Sequence, residues 1–206
     1  MYCQEIPIPI DYSIIASTQG DLNQDGIDEL VVAYNTKPEK KENRESIPRT
    51  LTIYKKVYAK WEMWKSSMQV LLGSEDGGMM GDPFGAIEIK NGVLWVSQNG
   101  GSSWKWGFTD KYRYQEDDFY LIGYKSNSGK PCEYWYNIDF NLSTGKLIVS
   151  KEYERCENGG DQEVYKRENE EFFKKDIRIT FEKRNDRAIQ FRSPKYKHTI
   201  YISTND

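Results

Sequence analysis

Asp21, Asn23, Asp25 and Glu29 carry side-chain oxygens, and Gly26 directly follows the third of them. This spacing restricts what residues 21–29 can be. Hard cations such as calcium take six to eight oxygen ligands at about 2.3–2.6 Å. A short loop supplies them by turning alternate side chains inward and adding a backbone carbonyl, here that of Ile27. Gly26 permits the sharp turn because it has no Cβ to penalise positive φ. The next residues, Leu30, Val31, Val32, Ala33 and Tyr34, read as a buried strand. The segment opens like an EF-hand loop and ends differently. Its twelfth position is Val32, where an EF-hand needs a bidentate Glu. The expected ion is Ca2+, and the expected ligands are Asp21, Asn23, Asp25, Ile27 and Glu29. The plainer reading of the same residues is a polar turn between strands, with no metal.

The 206 residues fit one β-rich domain, or a calcium-loop subdomain over 1–75 and an aromatic-rich β subdomain over 76–206. Hydrophobic residues make up only 37%, but 14% of the chain is aromatic, and aromatic side chains each bury a large area. A Tyr- and Trp-rich, Gly-punctuated chain favours strands. The expected class is mainly β: antiparallel hairpins and a meander, as a β-sandwich or incomplete propeller-like sheets, with at most one or two short helices.

Asn91 and Gly92 separate two apolar alternations, 86–89 and 93–96, and predict a hairpin with a type I′ turn. Trp104, Trp106, Phe108, Tyr112 and Tyr114 share one face at period two, as the core of a sheet would. Residues 36–49 are charge-dense with two prolines and read as a solvated loop. One short helix is expected within 157–175, from the spacing of Val164, Tyr165, Glu168, Phe172 and Phe173. Residues 177–181, 188–191 and 199–202 read as a closing three-strand meander. Before them, 134–140 and 147–153 alternate as a hairpin. Matching their apolar faces puts Cys132 within one residue of Cys156, with a bulge at Gly145 taking up the difference. That placement predicts a disulfide, and with it an exported protein.

A net charge of −3 with interspersed signs argues against a nucleic-acid-binding surface as the main role. No apolar run approaches the ~18 residues of a membrane span. The first residues lack a basic segment followed by an apolar one, so no signal peptide is expected in this chain. Cys3 is a candidate lipid-anchor cysteine.

The loop-then-strand pattern at Asp21, Asn23, Asp25, Gly26 and Leu30 resembles the FG-GAP and VCBS repeats of integrin-type propellers, with Glu29 in place of the family's last Asp. One such loop cannot build a ring of blades. Asp76, Gly77, Gly78, Gly81, Asp82, Pro83 and Phe84, followed by Gly100, Gly101, Ser102, Trp104 and Trp106, look like segments of a set of bacterial exported or lipid-anchored proteins. That resemblance implies membership and a location outside the cytoplasm, periplasmic, secreted or lipid-anchored. It implies no activity. The two glycine segments either converge on a cleft rimmed by Asp76, Asp82, Ser102 and Ser103, with Trp104, Trp106, Asp82 and Ser102 as the candidate ligand surface, or are tight β connections packed under the tryptophans.

Catalysis finds little to rest on. His198 is the single histidine, and neither a nucleophile elbow nor a phosphate loop is present. The expectation is a non-catalytic, calcium-binding extracytoplasmic β protein that binds a protein or glycan at the cell envelope. The alternatives are a carbohydrate-binding module that stacks sugars on Trp61, Trp64 or Trp104, an immunity-type inhibitor of a secreted toxin, and a hydrolase with acids near Asp82.

Overall fold

The computed structural model describes residues 5–41, 44–156 and 162–203. The chain is almost entirely strand: β1 (Ser13–Gly20), β2 (Glu29–Asn35), β3 (Glu39–Lys41), β4 (Arg44–Ser46), β5 (Arg49–Val57), β6 (Lys60–Ser67), β7 (Phe84–Lys90), β8 (Val93–Gly101), β9 (Lys105–Gln115), β10 (Asp118–Lys130), β11 (Tyr134–Asn141), β12 (Lys146–Cys156), β13 (Gln162–Phe173), β14 (Ile189–Arg192) and β15 (Thr199–Ser203). Two single-turn 3-10 segments, Gly78–Met80 and Phe181–Lys183, are the helical residues described. The expected mainly β, antiparallel class holds.

A four-stranded sheet runs in the order β1-β2-β5-β6, and a seven-stranded meander runs β13-β12-β11-β10-β9-β8-β7. Each neighbouring pair is antiparallel. Asn91 and Gly92 make the β7–β8 turn with φ of 52° and 71°, both positive as the type I′ turn requires. One hydrophobic cluster joins the two sheets: Val31, Ala33 and Ile53 from the small sheet meet Leu94, Val96 and Phe140 from the large one. Burying such side chains contributes about 1.5–3 kcal/mol each. β2 is buried on both faces, because Leu30, Val32 and Tyr34 pack with Tyr54 in a second cluster on the other side.

β9 shows why the large sheet has an inside and an outside. Trp106, Phe108, Asp110, Tyr112 and Tyr114 point inward, as their spacing predicts. Tyr114 and Trp64 flank the buried Phe119, with ring centroids 5.2 and 5.0 Å away. Trp104 departs from that row: it precedes the strand and rests on Tyr134 with centroids 5.1 Å apart.

Four local expectations need correction. The helix foreseen in 157–175 is the strand β13 over the described part. Its period-two face turns Glu168 and Glu170 inward, where His198 and the backbone N–H groups of Lys195 and Tyr196 satisfy them; residues 157–161 lie outside the description. The closing meander has two strands, not three: residues 177–181 form no strand and join the large sheet at an isolated Tyr120–Thr180 bridge, with Phe181 packed on Tyr112 and Phe119. The charged loop carries the short β3–β4 pair. The β11–β12 ladder runs without a register shift, so no bulge at Gly145 adjusts the cysteines. Cys132 instead sits in a turn with φ of 67°, which brings its Cα to 5.1 Å from that of Cys156. The two cysteines stand at disulfide distance, which fits an oxidising compartment. Cys3 lies outside the described residues.

Candidate functional site

The loop between β1 and β2 is organised by its own acids. Asp21 Oδ1 accepts hydrogen bonds from the N–H groups of Gln24 (2.6 Å) and Asp25 (3.2 Å), and Oδ2 accepts one from Gly26 (2.8 Å). Asp25 Oδ1 accepts from Ile27 N–H at 2.8 Å, while Asn23 Nδ2 donates to Asp25 Oδ2 at 2.9 Å. Gly26, at φ 84°, makes the turn. Glu29 lies at the start of β2 and is 1% exposed, accepting from Leu22 N–H at 2.8 Å. Burial pushes its carboxyl above the usual carboxylate range. The Leu22 N–H partly offsets that, and Asp25 and Asp21 add to it. The charged groups acting on this buried acid are thus Asp25 and Asp21, both negative.

Asp21, Asn23, Asp25, Glu29 and the Ile27 carbonyl are the groups that would hold a hard cation, and all are oxygen donors of the type calcium takes. Among the described residues, no three His, Cys, Asp or Glu side chains by themselves form a metal-holding group. The loop's set draws also on an amide and a carbonyl oxygen. The loop abuts the large sheet: a Cβ on Gly20 would stand 2.7 Å from Ile89 Cγ2, and one on Gly92 would stand 3.5 Å from Gln24 Nε2.

The two glycine segments do meet, backbone against backbone. Gly101 N–H donates to Gly77 O at 2.8 Å, and a Cβ on Gly100 would lie 2.5 Å from the Trp106 ring and 2.7 Å from Gly77 O. Asp82 is taken up by Arg49, which binds it through both terminal nitrogens, and this pairing holds its carboxyl below the usual range. Ser102 donates its N–H to Trp104 O at 2.7 Å. Trp106 stacks on Phe108, centroids 6.0 Å apart, and only Trp104, at 41%, is well exposed. Trp64 is in the core contact with Phe119, and Trp61 packs beside Tyr54 under the Lys56 ammonium. These tryptophans do not share one groove.

A surface that sequence reasoning missed lies on the outer face of the large sheet. Ser97, Thr109, Lys125, Asp139 and Ile148 stand side by side across β8–β12, with Asn99, Gly107, Asn127, Asn137 and Ser150 in the next row. All of these but Asn99 line a trough of about 500 Å³. Hydroxyls and amides make its floor: Ser97 and Thr109 hydroxyls are 2.9 Å apart, and Asn127 Nδ2 donates to Asn137 Oδ1 at 2.6 Å. Beside it, Lys111 spans Gly123 and sets its ammonium 3.9 Å from the Trp95 ring centroid. Burial, and then Lys125, lower the Lys111 pKa. The signal for this face was in the chain: the residues alternating with the aromatic row of β9 are Lys105, Gly107, Thr109, Lys111 and Arg113.

Comparison of the chain with protein-family models, curated proteins and solved structures returns no match. No helix among the described residues is long and apolar enough to cross a membrane.

Proposed function

We propose that this chain is a calcium-ordered extracytoplasmic β protein that acts by binding a partner at the cell envelope, with the outer face of the large sheet as its binding surface. One observation carries the calcium reading. Glu29 is a fully buried carboxylate whose charged neighbours are Asp25 and Asp21, with the Asn23 amide and the Ile27 carbonyl in the same loop. An acid in that setting calls for a cation, since a buried charge is costly unless compensated. When bound, the cation would neutralise the loop, which follows β1 where Gly20 packs against Ile89 of β7. Its role is to order the scaffold, and the resemblance to FG-GAP and VCBS loops supports the same assignment. The disulfide-distance pair supports a location outside the cytoplasm.

The test is a thermal melt of chelator-stripped protein with and without millimolar calcium, with Asp25→Ala beside it. A ligand that binds only the folded state raises stability by about 2.7 kcal/mol at a hundred times its Kd. A rise in Tm that Asp25→Ala abolishes supports the reading. Superposable curves in the wild type reduce the loop to a polar turn.

A further inference from the structure

The outer face of β9 is cationic in a chain whose net charge is −3. Lys105, Lys111 and Arg113 project from it at alternate positions, and none is in an ion pair among the described residues. Acids on this face are already matched: Glu88, in the Lys111 row, by Lys90; Glu152, in the Lys105 row, by Arg167; and Asp139 and Glu171, in the Thr109 row, by Lys125 and Lys146, all at 2.7–2.9 Å. The three cations of β9 thus stand outside the ion pairs of the face: Arg113 donates to Gln115 Oε1 and Ser143 Oγ, Lys105 to Ser102 O, and Lys111 lies over Trp95 with Asp139 as an acidic neighbour. At about 3.4 Å per residue, Lys105 and Arg113 stand roughly 27 Å apart along the strand. The hydroxyl and amide floor lies between them.

We infer that this face binds an extended acidic polysaccharide, its carboxylates on Lys105, Lys111 and Arg113 and its hydroxyls on the Ser97, Thr109, Asn127 and Asn137 floor. The inference rests on the binding-surface reading above and gives that surface a ligand class. The length of the track suits a polymer better than a single small anion. The floor offers both donors and acceptors at close spacing, as sugar hydroxyls require. A protein partner would need buried aromatic or aliphatic anchors at the centre of its contact. Ile148, 41% exposed, is the large aliphatic side chain the trough presents to solvent. Stacking is not the mode: Lys111 covers the Trp95 ring.

The test is affinity electrophoresis of the full chain through gels containing polygalacturonate, neutral dextran or poly-L-glutamate, at low and physiological salt. The wild type is compared with Lys111→Ala/Arg113→Ala and with Lys111→Arg. The expected result is retardation by polygalacturonate, weakened by salt, absent with dextran and weaker with poly-L-glutamate. Each lost cation should weaken binding about tenfold, the scale of a charge-assisted hydrogen bond, and Lys111→Arg should retain it. Unchanged Tm in the variants shows that the fold is intact. Equal or stronger retardation by poly-L-glutamate, sensitive to the same variants, overturns the polysaccharide assignment and leaves the binding surface standing. No retardation by polygalacturonate or poly-L-glutamate, or retardation that the double variant does not change, overturns both. The calcium melt reads the loop separately in every case.

Discussion

Arg184 reaches back across 74 positions to grip Asp110 from two sides, Nε to Oδ2 at 2.6 Å and Nη2 to Oδ1 at 3.1 Å, with both side chains out of solvent. Tyr112 adds its hydroxyl to Asp110 Oδ2 at 3.0 Å. The pair ties the segment after β13 to the middle of β9. Removing one member leaves the other buried and unmatched. Arg184→Ala should therefore lose about 3–5 kcal/mol in urea unfolding. An Asp110→Leu/Arg184→Met double variant should recover most of that, because it leaves no orphaned charge. A double variant as unstable as the single one would mean that the pair acts through more than charge matching.

Acid should loosen the contact between β13 and the β14–β15 hairpin. Glu168 lies under Lys166, His198 and Tyr153, with His198 Nε2 2.7 Å and Tyr153 Oη 3.0 Å from Oε2. The Lys166 hydrogen bond first, then those of His198 and Tyr153, hold its carboxyl down at about 2 against the opposing effect of burial. The folded value is below the unfolded one. Its stabilisation is thus full above the unfolded value near 4.5 and is lost as pH falls from there through about 2. Urea midpoints measured from pH 6 to pH 2 should fall in that window for the wild type and fall less for Glu168→Gln. Parallel curves would remove Glu168 from the acid response.

Reduction should weaken the far end of the β11–β12 hairpin. The Cys132–Cys156 pair closes a sequence separation of 24 residues. Restricting the unfolded chain over a loop of that size is worth about 2–4 kcal/mol. Cys132→Ser/Cys156→Ser, or the wild type in dithiothreitol, should show a urea midpoint lowered to match. A midpoint indifferent to reductant would mean that the two thiols remain free in solution.

Gly100 is held by a contact that no side chain fits. A methyl group there would meet Gly77 O at 2.7 Å, which is backbone and cannot swing aside. Gly100→Ala should cost about 1–3 kcal/mol, as overpacking does, and a thermal melt reads it directly. A full-stability variant would show that the Gly77 segment can move away.

Much of the architecture was legible in the chain because it depends on near neighbours. The β7–β8 hairpin follows from Asn91 and Gly92, whose backbones accept positive φ. The inward row of β9 follows from alternation at period two. The failures also have local causes. Val164, Tyr165 and Phe172 have spacings compatible with a helix, and only the partner β12 makes them a strand. Trp104 continues the period of Trp106 and Phe108, yet the turn after Gly101, at φ 115°, carries it out of the row.

The candidate site divides the same way. By itself the sequence determined the oxygen-rich loop, the buried strand after it, the mainly β class and the nearness of the two cysteines, since side-chain chemistry, turn preference and strand period act within a few residues. Only the tertiary structure decided that Glu29 is sealed from solvent, that Asp82 belongs to Arg49, and that Asp110 meets Arg184. It also decided that the β9 cations stand outside ion pairs while acids on the same face are matched. Those outcomes depend on strand register and on how the two sheets pack, which bring together groups that lie far apart along the chain.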